Sequence, residues 1–523
     1  MSHPSSRGAS PTDAAERLSG VAAAMDPEGR PFPPGDYGVV VVGSGPGGIQ
    51  VAYYLSRLGI DHAVISADPA PGGMFRRFPF FQRLLSWTKP YAHPPRDSRE
   101  YERYDWNSLI ADEPAHRAIM PDLMDGLSEF PSRAEMEEGL RRFVERTGLR
   151  IRYETAWQGT SRDGDGFVVH TSAGPYRARV VIFAVGIAEP RLPDTPGIEH
   201  ATHYVDTRDA STYAGRRLFI IGKQNSGFEL ANGLLQWASP IILASPRAAK
   251  LSVNLHSLDG VRARYIQPWE DAELGGGVYI LDASIERIER HADGLAVHTR
   301  RSDDSEPFVA EVDEVIAATG FSAPLLDLEA LGVGTFGRSG LPTMTNAYES
   351  ATVPGIYFAG TIMQAVSGLK KFGIPANSGA VHGHRYNGRL LVDDVAARYF
   401  GMPRARPEVA PGGVIELLLT AASAAPELWH QKSYLARALS RDEDGAIRDE
   451  GIVSLAEYVD VAGPDGAAIT VETVDRGAIR PAVYVRRRGR VDTDAVLDGS
   501  PLHEYRTAEH RAQLQSLVAD VLG

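Results

Sequence analysis

The chain has 523 residues, 43% hydrophobic and 23% charged, with a formal net charge of −13 and no cysteine. That length allows two or three domains with a substantial core, the composition excludes a disordered or fibrous chain, and the acidic balance argues against a nucleic-acid partner. Without cysteine the chain holds no disulfide, thiolate metal site, cysteinyl flavin linkage or dithiol relay of its own.

Residues 1–35, rich in Ser, Pro, Ala and Gly and ending in Pro31, Pro33 and Pro34, read as a disordered leader. It lacks the basic stretch and apolar core of a secretory signal. No window approaches the ~18 apolar residues of a membrane span. The expectation is a cytoplasmic protein with no membrane partner. Order begins at Tyr37, where Val39-Val40-Val41-Val42 forms the β-branched run of a buried parallel strand. Gly43-Ser44-Gly45-Pro46-Gly47-Gly48 follows, then a helix from Ile49 to Leu58 stopped by Gly59, then a strand His62-Ala63-Val64-Ile65.

This G-x-G-x-x-G lies between a strand and a helix. The first glycine permits the tight turn, the second admits a pyrophosphate to the backbone, and the third lets helix pack on strand. Phosphate oxygens then meet the unpaired N–H groups at the helix start. The usual acid for the ribose hydroxyls is missing. Ser66 stands at its expected position and Asp68 two residues on. Either Asp68 reaches back, or Ser66 makes a neutral hydrogen bond, or Asp68 simply opens the Asp-Pro turn.

The plan returns later. Leu218-Phe219-Ile220-Ile221 leads into Gly222-Lys223-Gln224-Asn225-Ser226-Gly227, a helix from about Phe228 to Trp237, and a strand at Ile241-Ile242-Leu243. That second strand runs on through Ser245 to Arg247 with no acid, and Lys250 follows. A ribose carrying a 2′-phosphate needs a cation there, which favours NADPH over NADH. The bland alternative is that Arg247 and Lys250 are ordinary surface charges. After a strand around Val312 to Ala317, another at Gly355 to Ala359, ending in Gly360, reads as the chain's return to the first domain.

Beyond residue 402 the pattern changes to an apolar helix near Ile415 to Ala438, alternating segments such as Ala468 to Val471, and a terminal helix from about Thr507. It reads as a small α+β appendage without chemistry. The basic run Arg486-Arg487-Arg488-Gly489-Arg490 reads as a solvated strand end. His382-x-His384 offers two metal ligands without a third of supporting spacing, so no metal is expected.

Together these residues resemble the flavin-containing (class B-like) monooxygenase superfamily. The turn at 222–227, Ala317-Ala318-Thr319-Gly320, and the segment from Pro196 to Tyr204 carry the likeness. A closer resemblance is to the FAD-dependent oxidoreductase-domain proteins. It rests on Arg83 to Lys89, Asp105 to Leu109, Tyr357 to Thr361 and His382 to Tyr386, within about residues 38 to 395.

The resemblance implies an α/β fold of two nested Rossmann-like domains. Residues 36–195 and 320–400 would bind FAD, 196–319 NADPH, and 402–523 would form the appendage. FAD would sit on the Gly43–Gly48 turn, its isoalloxazine near Gly73, Met74, Trp87 and Lys89. Gly360-Thr361 would meet the ribityl–pyrophosphate. Gly222, Lys223, Gln224, Asn225, Ser226, Ser245, Arg247 and Gly320 complete the cofactor set.

Candidate catalytic residues are Trp87, Lys89 and Asn225. Against them stand a Trp belonging to the core and a Lys on the surface. The implied reaction is NADPH-dependent formation of a C4a-(hydro)peroxyflavin that N-oxygenates a small amine or amino acid. A flavin oxidase or quinone-type reductase and a non-catalytic dinucleotide sensor are the alternatives. The expected partners are a small-molecule substrate, dioxygen and a second copy of the chain.

Overall fold

The computed structural model describes residues 24–77, 83–249, 252–254, 259–261, 263–303, 306–366, 378–474 and 477–523. Residues 1–23 of the expected leader lie outside them. Its remainder belongs to the fold: Phe32 is buried, and its carbonyl accepts the Tyr176 hydroxyl at 2.7 Å. Asp26 pairs with the buried Arg152 at 2.8 Å. A Pro-rich composition marked this stretch as a leader, but an apolar ring and a buried ion pair hold it down.

The first sheet contains β1 (Asp36–Val42), β2 (His62–Ile65), β3 (Trp157–Asp163), β4 (Gly166–Thr171) and β5 (Gly174–Phe183), in the order β2-β1-β5-β4-β3. Between β1 and β2 runs α1 (Pro46–Leu58), with Pro46 in its first turn and Gly59 closing it at φ 67°. Helix α2 (Arg133–Thr147) opens on a capping box of Ser132 and Glu135. Val39 to Val42 are all buried, as a strand covered on both faces requires.

The second sheet contains β6 (Leu218–Ile221), β7 (Ile241–Ser245), β8 (Val278–His291), β9 (Gly294–Arg301), β10 (Phe308–Val312) and β11 (Glu314–Ala317). Their order is β10-β9-β8-β7-β6-β11, with Thr202–His203 at the far edge. The helix after β6, α3, spans Asn225–Leu234, three residues ahead of its expected start, because Gln224 is already its N-cap. The stretch expected as one strand from Val312 to Ala317 is split between β10 and β11. After this excursion β12 (Ile356–Phe358) returns to the first sheet, where Tyr357 lies opposite Ile182 of β5.

Two short segments carry the chain between the sheets. Glu189–Pro190 pairs antiparallel with Phe321–Ser322. Arg191 donates to the carbonyl of Thr319 at 2.9 Å and receives the Thr319 hydroxyl on its own carbonyl at 2.5 Å. Both crossings therefore run through one ribbon.

Helix α4 (Val381–Phe400) packs along α1, with Gly388 seated between Val51 and Tyr54. The C-terminal region holds α5 (Val414–Ala424), α6 (Pro426–His430), strands β13 (Leu435–Arg441), β14 (Ile447–Ser454), β15 (Gly466–Thr473), β16 (Ile479–Arg487) and β17 (Arg490–Val496), and α7 (Ala508–Leu522). The strands form one antiparallel sheet in the order β14-β13-β15-β16-β17. The continuous helix expected from Ile415 to Ala438 is corrected: α5 ends at Ala424, Pro426 restarts a short helix, and Leu435 opens a strand. Leu435-Ala436-Arg437-Ala438 gains more from the sheet than from helix propensity. The basic run is a solvated strand end at Arg488 and Arg490, which are exposed, but not at its first residue. Arg486 is buried, 4.0 Å from the Tyr458 ring, and donates to the Tyr458 carbonyl.

Among the described residues no helix is long and apolar enough to cross a membrane, and no three acidic or histidine side chains are grouped to hold a metal.

Candidate functional site

The two glycine turns are built alike. A Cβ on Gly43 (φ 115°) would lie 2.5 Å from the Ala184 carbonyl oxygen, and one on Gly222 (φ 126°) 2.5 Å from that of Ala318. A Cβ on Gly48 would meet the Gly43 oxygen at 2.1 Å, and one on Gly227 the Gly222 oxygen at 2.3 Å. In each turn the first and last glycines thus serve the chain itself. The middle glycine differs. A Cβ on Gly45 would meet only Gly73, at 4.0 Å, which leaves its outer face open. Its counterpart Gln224 is exposed.

Both turns open on one cleft of about 1140 Å³. Ser44, Gly45, Pro46 and Gly47 of the first turn line it, as do Asn225 and Ser226 of the second. Gly73, Met74, Gly360 and Thr361 also line it. Gly360 (φ 84°) lies directly on Gly47, where a Cβ would fall 2.3 Å from the Gly360 Cα. The residues present fit a flavin nucleotide: the cradle that bare glycine backbone forms at Gly45 and Gly360 would close if side chains filled it, and the α1 N-terminus faces it.

Ser66 lies buried at the end of β2 and lines the same cleft. Its oxygen accepts the Ser44 hydroxyl at 2.8 Å and the Asp68 N–H at 3.2 Å. With its acceptor capacity used, the Ser66 hydroxyl proton remains for a ribose oxygen. Asp68 lines the cleft as well, 3.7 Å from Arg77. Both groups therefore face the cleft, Ser66 with a hydroxyl proton to give and Asp68 with a carboxylate that can accept.

The candidate catalytic residues divide. Trp87 and Lys89 lie outside the residues lining the cleft: Trp87 stacks on Trp106 with ring centroids 3.9 Å apart, and the exposed Lys89 ammonium sits 5.4 Å from the Trp87 ring. Trp106, which sequence reasoning quoted but did not select, is the indole of this pair that reaches the cleft. The segments 83–89 and 105–109 are laced together. The Ser86 hydroxyl donates to Asn107 Oδ1 at 2.5 Å, the Asn107 amide to Thr88 Oγ1 at 3.1 Å, and Thr88 to Asp105 at 2.8 Å. This ladder turns Trp106 inward, leaving Trp87 on its outer side. Asn225 does line the cleft, its Oδ1 accepting the hydroxyl of the buried Tyr265.

Lys223, expected at the cofactor, is buried and paired with Asp282 on β8. Gly320 belongs to the connecting ribbon, where its carbonyl accepts the Arg191 N–H at 3.1 Å. Ser245 ends β7, and Arg247 beyond it is exposed. Lys250 lies outside the described residues.

Sequence reasoning also missed Arg133 and Glu229, and weighed His384 only as a metal ligand. Arg133 is buried at the start of α2, lines the cleft, and donates to the Arg76 carbonyl at 3.1 Å. Glu229 lines the second-turn side and accepts the Tyr204 hydroxyl at 3.2 Å. His384 lines the cleft from α4, 3% exposed. Burial holds its imidazole neutral, with its pKa lowered to about 4. A buried Arg following a capping Ser, and an acid one turn after Asn225, were the signals available.

Arg385 and Tyr386, next to His384 on α4, do not line the cleft. Arg385 is wholly buried and donates to the carbonyls of Ser108 at 2.6 Å and Glu102 at 3.1 Å. It thus anchors the segment that carries Trp106. The C-terminal region joins this wall. The His430 ring lies 5.4 Å from Trp106 and 5.3 Å from His382, its Nε2 bonded to the Glu102 carbonyl at 2.8 Å. Glu427 pairs with Arg99 at 2.7 Å. The appendage read as lacking chemistry braces the cleft.

Residues 40–360 match the family described as pyridine nucleotide-disulphide oxidoreductase. The chain is similar to the mouse FAD-dependent oxidoreductase domain-containing protein 2, with 28% identity over 69% of this chain and 58% of the relative. It thus spans less than two thirds of that relative's length. Among solved structures it is similar to a bacillithiol disulfide reductase from Staphylococcus aureus (TM-score 0.54, 16% identity, 69% of this chain and 99% of that one). It is also similar to an ornithine N-hydroxylase from Kutzneria (TM-score 0.51, 16% identity, 69% and 99%). At such identities these structures show the fold alone.

Proposed function

The chain belongs to the pyridine nucleotide-disulphide oxidoreductase family, for which FAD and NAD(P) binding is typical, and from that premise we propose that it is a FAD- and NADPH-dependent monooxygenase. Its proposed substrate is a small amine or amino acid, oxygenated on nitrogen. One observation carries the reading: both dinucleotide turns open on a single cleft in a chain that contains no cysteine. Electrons brought into such a cleft have no dithiol of this chain to enter, so they pass to an external acceptor, and dioxygen is the one proposed.

Bound FAD supplies hydride acceptance from the nicotinamide and two-electron reduction of dioxygen. The chain's own residues supply position. The N–H groups of the Gly43–Gly48 turn and the start of α1 hold the pyrophosphate. Ser66 donates to the ribose. Asn225 and Ser226 would hold the nicotinamide cofactor from the second turn, and Arg247 would meet its 2′-phosphate. Leu84, Leu85, Trp106, Trp157 and Phe321 line the cleft with apolar surface that limits water. Glu229 lines the cleft with a carboxylate that would hold an ammonium group of the substrate beside the neutral nitrogen that is oxygenated. The ornithine N-hydroxylase among the similar folds bears such a reaction in its name.

The test is to purify the protein, record its flavin spectrum, and screen amines for stimulation of NADPH oxidation coupled to a hydroxylamine product. Amine-dependent product supports the reading. NADPH consumption that yields only hydrogen peroxide, whatever the amine, makes the protein an oxidase. A full complement of FAD with no NADPH oxidation makes it a sensor.

A further inference from the structure

A buried chain of hydrogen bonds runs from the C-terminal region to the cleft. Gln431, just past α6, donates its amide to Asn387 Oδ1 at 2.9 Å. The Asn387 amide donates to the Ser378 hydroxyl at 2.7 Å. The Ser378 carbonyl lies 3.1 Å from His384 Nδ1. Gln431, Asn387 and Ser378 are fully buried and His384 nearly so.

The chemistry of this chain fixes the tautomer at its end. A carbonyl oxygen can only accept, so His384 Nδ1 carries the ring proton. Burial keeps the ring neutral, with its pKa lowered to about 4, so Nε2 is a bare acceptor. That atom is shielded from solvent and has no hydrogen-bond partner among the described residues. Yet His384 lines the cleft. A buried acceptor left unpaired is costly, and a ligand N–H or O–H in the cleft removes that cost.

The side of the cleft identifies the ligand. Helix α4 packs on α1, whose turn meets Gly360, whereas Asn225 and Ser226 come from α3, the helix of the second turn. A flavin nucleotide on the first turn brings a ring N–H and several ribityl hydroxyls. We propose that His384 Nε2 accepts a hydrogen bond from the bound flavin nucleotide, and that Gln431 positions that acceptor through Asn387 and Ser378. This rests on the reading of the first turn as the flavin site. It makes the C-terminal region part of the flavin site.

The experiment uses the full chain freed of flavin and titrated with FAD, read by quenching of flavin fluorescence and by the bound absorption spectrum. His384→Leu is expected to raise the FAD Kd about 10-fold, the scale of one lost buried hydrogen bond, and to alter the bound spectrum. His384→Gln, which returns an acceptor near the place of Nε2, is expected to recover most of that loss. NADP⁺ affinity should not change in either variant. Gln431→Leu should weaken FAD binding about 3-fold alone and add nothing to His384→Leu, since a positioning residue acts only through its target.

A His384→Leu protein with unchanged FAD affinity and spectrum overturns the proposal. So does a glutamine variant as weak as the leucine one, or a Gln431 effect that adds in full to that of His384. Failure of the unsubstituted chain to bind FAD overturns instead the reading of the first turn.

Discussion

Gly47 and Gly360 meet backbone to backbone, so closely that a Cβ on Gly47 would lie 2.3 Å from the Gly360 Cα and 2.4 Å from its nitrogen. The helix that opens the first turn and the loop that follows β12 therefore share one contact with no room for a methyl. Gly47→Ala must push these segments apart, and a loss of several kcal/mol, about 3, is expected from overpacking against backbone. Gly45→Ala has no such clash, because Gly73 is its nearest neighbour at 4.0 Å. Thermal melting should show Gly47→Ala strongly destabilised and Gly45→Ala near the parent. FAD titration should find Gly45→Ala impaired, because its methyl would enter the open face proposed for the pyrophosphate. Equal melting temperatures for the two variants would contradict the assignment.

Ser66 and Asp68 are separable by FAD affinity. Ser66 accepts from Ser44 and the Asp68 N–H, leaving a hydroxyl proton for the ribose. Ser66→Ala is expected to raise the FAD Kd about 5-fold, the worth of one neutral hydrogen bond. Asp68→Asn, whose parent carboxylate faces Arg77 at 3.7 Å, is expected to change it less than about 2-fold. The reverse order would make Asp68 the ribose ligand.

Trp106 and Lys89 exchange the importance that sequence reasoning assigned. Lys89 is exposed and outside the cleft, so Lys89→Ala should leave steady-state NADPH oxidation within about 2-fold, as most surface substitutions do. Trp106→Ala removes the indole lining the cleft between Trp87 and His382 and should lower the amine product formed per NADPH oxidised about 10-fold or more by admitting water. A large Lys89 effect with a small Trp106 effect would reverse the assignment.

Arg247 is exposed just past β7. If it meets the 2′-phosphate, Arg247→Ala should raise the KM for NADPH about 10-fold, the loss of one charge-assisted contact, and leave that for NADH nearly unchanged. Equal changes for the two cofactors would refute the role.

Stability should fall on mild acidification. Burial lowers the pKa of His384 to about 4 and that of His430 well below its ordinary value. In the unfolded chain both take protons near pH 6.5. Between about pH 6.5 and pH 4 the unfolded state binds more protons, so stability drops as pH drops. Urea midpoints across that window should show the slope, and His384→Gln should flatten part of it. A midpoint that rises on acidification would exclude buried neutral histidines as the dominant titrating groups.

Much of the fold was legible because its decisive residues act locally. Val39 to Val42 can satisfy a strand only if both faces are covered, and His62–Ile65 emerged with the bounds its pattern implied. The glycines at 43, 48, 222 and 227 mark places where a Cβ has no room. Less was legible where a contact outweighed propensity. Leu435 to Ala438 has helix-forming composition and lies in a sheet, and Phe32, in a Pro-rich stretch, is buried.

By itself the sequence determined that two strand–turn–helix units exist and that each begins where backbone must approach something closely, since a missing Cβ is written in the residue name. It also determined that no thiol of this chain takes part. The tertiary structure alone decided that both turns face one cleft, that Trp106 rather than Trp87 reaches it, and that Lys223 turns away to Asp282. It alone joined Gln431 to His384 through Asn387 and Ser378. The reason is physical: periodicity records which face of an element is apolar. Which polar side chains meet across elements depends on how those elements pack, and no local pattern carries that information.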